Sequence, residues 1–217
     1  DATLGVWHNM DKLAEKDAPH TPYGYCRNNF VNAIDPDGKR IVIWYQNKQG
    51  NLQSYKFYGN NYEGASNHPF IKDFMKAYSY NVKNGGGKAL KKAALSDKDF
   101  NLFNSEELNV NDTYYQNNGR KDKYVVWESR KGLLLTNGKR QSPATRLEHE
   151  FDHYIDDVEN HKQHSIRAET YDKQYNNAEE KRVIEGSETT TARKNGEGVR
   201  KDHKGKSIKT KSSISVF

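Results

Sequence analysis

The sequence predicts an α+β domain, with a small β-sheet and several amphipathic helices, over residues 39–217. Three observations predict it. Short β-rich runs bounded by turn residues occupy much of the first half, and apolar residues recur every three or four positions after residue 142. The chain also carries 14 Tyr, 8 Phe and 3 Trp, which supply apolar area for a core. We expect that core to be small, because only 33% of the residues are hydrophobic and the mean hydropathy is −1.12.

Composition excludes some classes of protein. The longest apolar runs, at 41–45 and 133–135, are far shorter than the ~20 residues of a membrane span, so none is expected. The first residues lack the basic and apolar regions of a signal peptide, so export would need a route that does not depend on one. The single cysteine excludes a metal site built from several thiolates. The net charge of +6 comes mainly from residues after 193, a basic tail that can attract nucleic acid, attract an acidic partner, or simply be solvated.

The first half of the domain is predicted to form two hairpins and two helices. After the turn sequence at 35–38, β-rich runs at 40–45 and 52–58 flank a turn and predict the first hairpin. Apolar spacing predicts helices at 69–80 and 89–95, joined by a glycine-rich linker at 84–88. Runs at 124–129 and 133–136 predict the second hairpin. We interpret its first strand, 124–129, as a sheet edge able to pair with an extended peptide.

The second half is predicted to be largely helical. Ser142 and Pro143 are the residue types that begin helices, and an apolar stripe follows them every three or four residues. At 100° per residue, His149 and His153 lie roughly opposite that stripe, so they are not expected to face the core. Further helices are predicted at about 166–175, 178–186 and 187–195.

The sequence His149-Glu150-Phe151-Asp152-His153 carries the most informative chemistry in the chain. Two histidines at i and i+4 on a helix bring their imidazoles close enough to bind one Zn²⁺. A glutamate beside the first histidine can take a proton from a metal-bound water and pass it to a leaving amine. The pattern predicts an active-site helix in which His149 and His153 are ligands and Glu150 is general base and then acid. A surface pair of histidines without metal is the alternative.

A catalytic zinc site needs a third protein ligand and one open position. Asp156 and Glu159 on the same helix are candidates, and so are the two glutamates of a later helix, Glu179 and Glu180. A glutamate from a neighbouring helix approaches the ion from a different direction, which favours Glu180, with Glu179 as its closest rival. The other member of that pair can orient a ligand histidine.

The first 38 residues resemble the end of a known scaffold. Residues 5–16, 22–29 and 31–38, which close on Asp-Pro-Asp-Gly, are similar to the C-terminal end of the Rhs-repeat-associated core of polymorphic toxins. The resemblance implies that 1–38 is the end of that core and that 39–217 is the variable toxin domain. It also implies a cognate immunity protein, partners in the Rhs shell and secretion machinery, and delivery into a target cell by type VI or similar export.

A second resemblance covers roughly 142–203. Glu-Glu-x-Arg at 179–182, after a His-Glu-x-x-His helix, resembles clostridial neurotoxin light chains and the zinc metalloprotease effectors of enteropathogens. The resemblance implies a zincin-like metallopeptidase domain in which Glu180 is the zinc ligand. Those enzymes carry a downstream Arg-x-x-Tyr that stabilises the oxyanion. Arg200 and His203 have that spacing here, with His in place of Tyr, and take that role by implication; the alternative for Arg200 is that it is simply part of the basic tail.

Together these features predict a secreted effector toxin that acts as a zinc-dependent endopeptidase on a protein of the target cell. Two other functions remain open: a nuclease toxin that uses the basic tail, and a zinc-stabilised binding module without catalysis. Nucleic acid is not the expected partner. A nuclease would need further ligands beside the pair, and the nearest other histidines are His161 and His164.

Overall fold

A computed structural model describes residues 40–60, 67–119 and 123–217; the predicted core remnant at 1–38 lies outside them. Helices and strands are mixed along this part of the chain, as an α+β class requires. The strands are β1 (Ile41–Gln46), β2 (Leu52–Phe57), β3 (Phe100–Asn104), β4 (Tyr114–Asn117), β5 (Lys123–Trp127), β6 (Lys131–Leu134), β7 (Arg140–Gln141), β8 (Tyr171–Asp172), β9 (Asn176–Asn177) and β10 (Lys206–Lys209). The helices are α1 (Pro69–Lys83), α2 (Lys88–Ala94), α3 (Pro143–Glu159), α4 (His161–Glu169), α5 (Ala178–Val183) and α6 (Thr189–Lys194), with a π-helical turn at Ile184–Glu188.

The larger sheet has five strands in the order β2-β1-β3-β5-β4. The predicted first hairpin is confirmed: β1 and β2 are antiparallel, with Ile41 opposite Phe57. Its turn is stabilised by the Asn47 side chain, which accepts two backbone hydrogen bonds, and by Gly50 at φ 79°. β3 pairs in parallel with both β1 and β5, and β4 pairs antiparallel with β5.

The predicted second hairpin is wrong. β5 lies inside the larger sheet between β3 and β4, whereas β6 belongs to a separate sheet of order β10-β6-β7. Val125, Val126 and Trp127 are all fully buried, which is typical of a strand covered on both faces. Residues 124–129 therefore do not form a sheet edge. The edge on this side of the sheet is β4.

Helices α1, α2 and α3 pack with the larger sheet in one hydrophobic cluster. α1 begins at Pro69, which presets the helical φ, and the linker before α2 turns at Gly87 with φ 65°. Burial of large side chains stabilises this cluster by roughly 1.5–3 kcal/mol each; Phe57, Phe74 and Phe151 are among them. None of the helices in the described ranges is long and apolar enough to span a bilayer.

The helices after α3 differ from the prediction. α3 itself begins as predicted, with the Ser142 hydroxyl accepting from the Thr145 N–H. The helix predicted at 166–175 is instead α4, followed by the β8–β9 hairpin with Asn176 at φ 71°. The helix predicted to stop at Gly186 continues through the π-helical turn into α6, because Gly186 adopts a helical conformation there and is exposed.

Candidate metal centre

The predicted motif lines a cavity of about 470 Å³. α3 contributes His149, Glu150 and His153, and α5 contributes Glu180. The opposite walls come from β4 and the residues that precede it, and from the segment at 200–207. The elements that meet here are far apart in sequence, so the cavity is a product of the tertiary fold.

Both histidines are buried, with 4% and 5% of their surfaces exposed. They lie outside the hydrophobic cluster, as the helical period predicts. Their face of α3 is nevertheless not exposed to solvent, because α5 and the π-helical turn pack against it. The two Nε2 atoms are 3.0 Å apart. Oε2 of Glu180 lies 3.2 Å from Nε2 of His149, and Oε1 of Glu180 lies 3.4 Å from Nε2 of His153.

Two further carboxylates fix the orientation of the imidazoles. Nδ1 of His149 is 2.7 Å from Oε2 of Glu188, and Nδ1 of His153 is 3.1 Å from Oε1 of Glu179. An ionised carboxylate only accepts, so each Nδ1 must donate. In the neutral imidazoles, both Nε2 lone pairs then point at the same space, which the Glu180 carboxylate also faces.

This convergence fits a cation. Two Nε2 acceptors and the oxygens of Glu180 meet with few donors between them, and Oε2 of Glu180 is buried without a hydrogen bond of acceptable geometry. A bound cation would satisfy all of these lone pairs at once, and burial makes leaving them unsatisfied costly. His149, His153 and the adjacent Glu150 also form a geometrically possible ligand group, so a metal ion can be held here.

The π-helical turn places Glu188 beside His149. Arg200 then pairs with Glu188: its Nε donates to Oε1 at 2.9 Å, and its Nη2 contacts Oε2. Nη2 of Arg200 is also 3.1 Å from Nδ1 of His149. Arg200 lines the cavity as the sequence predicts, but two of its nitrogens are engaged by a carboxylate that the sequence did not single out.

Glu179 is the centre of a second charged network. It pairs with Arg167 and Arg182, each at 2.6 Å, and its Oε1 is 3.3 Å from His164. Asp156, His164 and Glu179 could hold a metal by distance alone. The two guanidinium groups already neutralise these carboxylates and would repel a second cation, so we interpret the group as support for His153.

The remaining candidates for the third ligand lie elsewhere. Asp156 faces Arg167 and His164 rather than the paired Nε2 atoms. Glu159 is exposed and pairs with Lys92 on α2. Of the four carboxylates considered from the sequence, the structure brings only Glu180 to both Nε2 atoms.

The electrostatics of the cavity are dominated by its glutamates. Burial lowers the pKa of His153, but hydrogen bonds to Glu179 and Glu180 outweigh that effect and raise the pKa to about 10. Burial raises the pKa of Glu188, yet Arg200 and His149 outweigh it and lower the pKa to about 2. The pKa of Glu180 is held far below its usual value by three histidines, against burial. The enclosure thus favours positive charge at its centre.

Glu150 lies between the histidines and the sheet edge. Its Oε2 accepts a 2.9 Å hydrogen bond from the backbone N–H of Tyr115 on β4. Burial raises the pKa of Glu150, partly offset by His149 and His153. His203 lies at the cavity rim, with Nε2 at 3.2 Å from Oε2 of Glu180 and Nδ1 accepting from Asn176. All six residues predicted for the site therefore meet at one cavity.

Sequence reasoning missed Glu188 and Tyr115. Neither residue belongs to a local motif. The one signal for Glu188 is general: a histidine that binds a metal through one ring nitrogen needs a hydrogen-bond partner at the other. No protein-family model, curated protein or solved structure matches this chain.

Proposed function

We propose that this chain is a zinc-dependent endopeptidase with a zincin-like fold. The observation that carries the proposal is the convergence of Nε2 of His149, Nε2 of His153 and the Glu180 carboxylate, with the Glu150 carboxylate beside them. Two imidazoles and one carboxylate, open to a cavity, are a ligand set typical of hydrolytic zinc sites.

The donor set favours zinc over other common cations. Imidazole nitrogen suits zinc, whereas calcium and magnesium prefer oxygen ligands and larger coordination numbers. Glu188 and Glu179 fix the ligand histidines in the tautomer that exposes Nε2. When bound, zinc supplies Lewis acidity that polarises a carbonyl and makes a water molecule acidic near neutral pH.

Glu150 is the group that moves the proton. Its raised pKa makes it a stronger base than an exposed carboxylate, and the Tyr115 N–H holds one oxygen so that the other is left for water. The same glutamate then delivers the proton to the leaving amine. We assign His203 and Nη1 of Arg200, which Glu188 does not engage, as the donors for a developing oxyanion, while Nε and Nη2 of Arg200 keep Glu188 in place.

The shape of the cavity suits an extended polypeptide. β4 is a sheet edge, and Thr113, Tyr114 and Tyr115 line the cavity beside Glu150. An edge strand can hold a peptide by main-chain hydrogen bonds. We therefore assign to β4 the peptide-pairing role that the sequence predicted for 124–129. With the resemblance of 1–38 to the Rhs core, the substrate is a protein of a target cell, and an immunity protein protects the producer.

The proposal is tested by digestion of a mixed peptide library with the zinc-loaded full chain. We expect peptide cleavage that a chelator stops and added zinc restores. Glu150→Gln should lower the cleavage rate about 10²–10⁴-fold. Glu159→Gln is the matched control, because Glu159 lies on the same helix but is exposed and faces α2.

Other results identify the rival functions. Stoichiometric zinc without any hydrolysis supports a binding module. Hydrolysis of DNA or RNA that falls steeply with salt supports a nuclease. Either result would contradict the proposal that the chain is an endopeptidase.

A further inference from the structure

A second compartment lies next to the metal cavity, between the same two segments of the chain. A cavity of about 600 Å³ is lined on one wall by residues 109–111 and on the other by Lys131 and Lys209. The same two walls line the metal cavity one step further along: residues 112–115 on one side, and Leu133 and Ser207 on the other. The two compartments are therefore consecutive parts of one cleft.

The pleat of the small sheet places the two lysines on the cleft side. Ser207 is opposite Leu133, and Lys209 is opposite Lys131, in the antiparallel pair of β10 and β6. Side chains two positions apart in a strand share a face, so the lysine pair follows the Leu133–Ser207 pair along that face. The step is about 7 Å, which is also the spacing of alternate side chains in an extended peptide.

Within residues 40–60, 67–119 and 123–217, the lysine pair has no carboxylate in ion-pair contact. Like charges directly opposite each other on a sheet are destabilising, and no carboxylate among the described residues lies within the 4.0 Å of an ion pair from either ammonium group. The Lys131 ammonium group donates to the Asn111 side-chain oxygen, a neutral partner. Lys209 is exposed.

The nearby carboxylates are engaged elsewhere. Asp112 pairs with Arg146 at 2.8 Å. Both oxygens of the buried Glu128 accept hydrogen bonds, one from Ser105 and one from the Arg130 N–H. Glu106, also on the wall of the second compartment, is exposed and solvated.

We propose that Lys131 and Lys209 form a subsite that binds an acidic side chain of the polypeptide substrate. This inference rests on the proposed function and adds the substrate class: sequences with Asp or Glu three or four residues from the scissile bond. That separation follows from the four positions that separate Tyr115, beside Glu150, from Asn111, beside Lys131.

The test measures binding and cleavage separately. The probes are fluorescein-labelled decapeptides of Ala, Ser and Leu in which a single Glu, or a single Gln, occupies each position in turn. Binding is measured by fluorescence anisotropy on the zinc-loaded full chain carrying Glu150→Gln, and cleavage of the same peptides is measured on the unsubstituted chain.

We expect the best-placed Glu to bind about fivefold more tightly than Gln, as for a partly solvent-exposed ion pair. Lys131→Gln with Lys209→Gln should reduce that ratio to about 1. Lys206→Gln is the matched control: Lys206 is exposed on the same strand, but it points to the other face, so the ratio should persist.

The subsite is overturned if Glu and Gln peptides bind equally, or if the Glu preference survives the double substitution. It is also overturned if Lys206→Gln loses the preference to the same extent, because that result would indicate a general electrostatic effect of surface lysines. Tighter binding of a 20-nucleotide single strand that depends on the same lysines would also overturn it, in favour of nucleic acid. A Glu preference in binding without cleavage by the unsubstituted chain would support the subsite but contradict the proposed endopeptidase activity.

Discussion

The two faces of α3 show how one helix can be held in two different ways. On one face, Phe151 and Tyr154 are buried among aromatic and aliphatic side chains of the sheet and of α1. On the other, His149 and His153 are equally buried, but among carboxylates and guanidinium groups. The apolar face is stable by packing alone. The polar face has converging acceptors that only a cation, or protons in its place, can satisfy.

The largest effect is expected on the apolar face. Phe151→Ala should lower the free energy of unfolding by about 3–5 kcal/mol, because it leaves a cavity in a fully buried cluster. Phe151 lies between the two histidines in sequence but points away from them. Denaturant unfolding with zinc titration should therefore show one zinc per folded chain, as in the unsubstituted protein. A parallel loss of zinc would show that the faces are not independent.

Zinc should stabilise the polar face. At a free zinc concentration of 100 times its Kd, the free energy of unfolding should rise by about 2.7 kcal/mol relative to the chelated protein. His153→Ala should show no such rise, and magnesium should not replace zinc, because imidazole is a poor magnesium ligand. Identical thermal unfolding of the chelated and zinc-loaded proteins would show that zinc does not stabilise this face of α3.

Carboxylates behind the ligands should tune affinity rather than create it. Glu188→Gln should weaken zinc binding about 10–100-fold, because the His149 ring loses the partner that orients it. Glu185→Gln, an exposed glutamate on the same π-helical turn, is the matched control for competition titration with a chromogenic chelator. Equal affinities for the two variants would remove Glu188 from the site.

Asp157 connects α3 to the sheet edge and gives the smallest effect. It is buried and accepts from Lys123, from the Tyr115 hydroxyl at 2.5 Å and from Asn117. Burial raises the pKa of Asp157, but the bonds from Lys123, Tyr115 and His161 outweigh burial, and the net pKa is lowered from 3.8. Asp157→Asn should therefore lower stability by about 1 kcal/mol at pH 7.

The sign of the pH dependence follows from that lowered pKa. The contribution of ionised Asp157 is present above the unfolded-state pKa near 3.8 and is lost as the pH falls towards the folded-state pKa. The difference between the two proteins should shrink below pH 4. A difference that is constant from pH 7 to pH 3 would show that charge is not its cause.

Local signals account for the parts of the fold that the sequence predicts. The turn at 47–50, Pro69 and Ser142 each act within a few residues, so the first hairpin, α1 and the start of α3 follow from the sequence. The antiparallel pairing of β5 with β4 joins consecutive strands, but its parallel pairing with β3 is non-local, and nothing within 124–129 specifies that neighbour. The π-helical turn likewise depends on tertiary contacts.

The site shows the same division. Two turns of α3 place His149, Glu150 and His153 by helical geometry alone. Glu180 was favoured by approach from another helix, and its distance to both Nε2 atoms agrees with that preference. The Arg200–Glu188 pair joins residues 12 positions apart through an unpredicted turn, which is why the sequence suggested a role towards substrate or a place in the basic tail for Arg200, but not this pair.

Whether His149, His153 and Glu180 hold a metal ion is decided by the zinc content of the purified full chain and of two glutamate variants after dialysis against limiting zinc. We expect one zinc per chain in the unsubstituted protein and in Glu150→Gln, and a large loss in Glu180→Gln, because Glu180 faces both Nε2 atoms whereas the role proposed for Glu150 is proton transfer. An unsubstituted chain that binds no zinc, or a Glu180→Gln chain that binds it as well as the parent, would contradict the account.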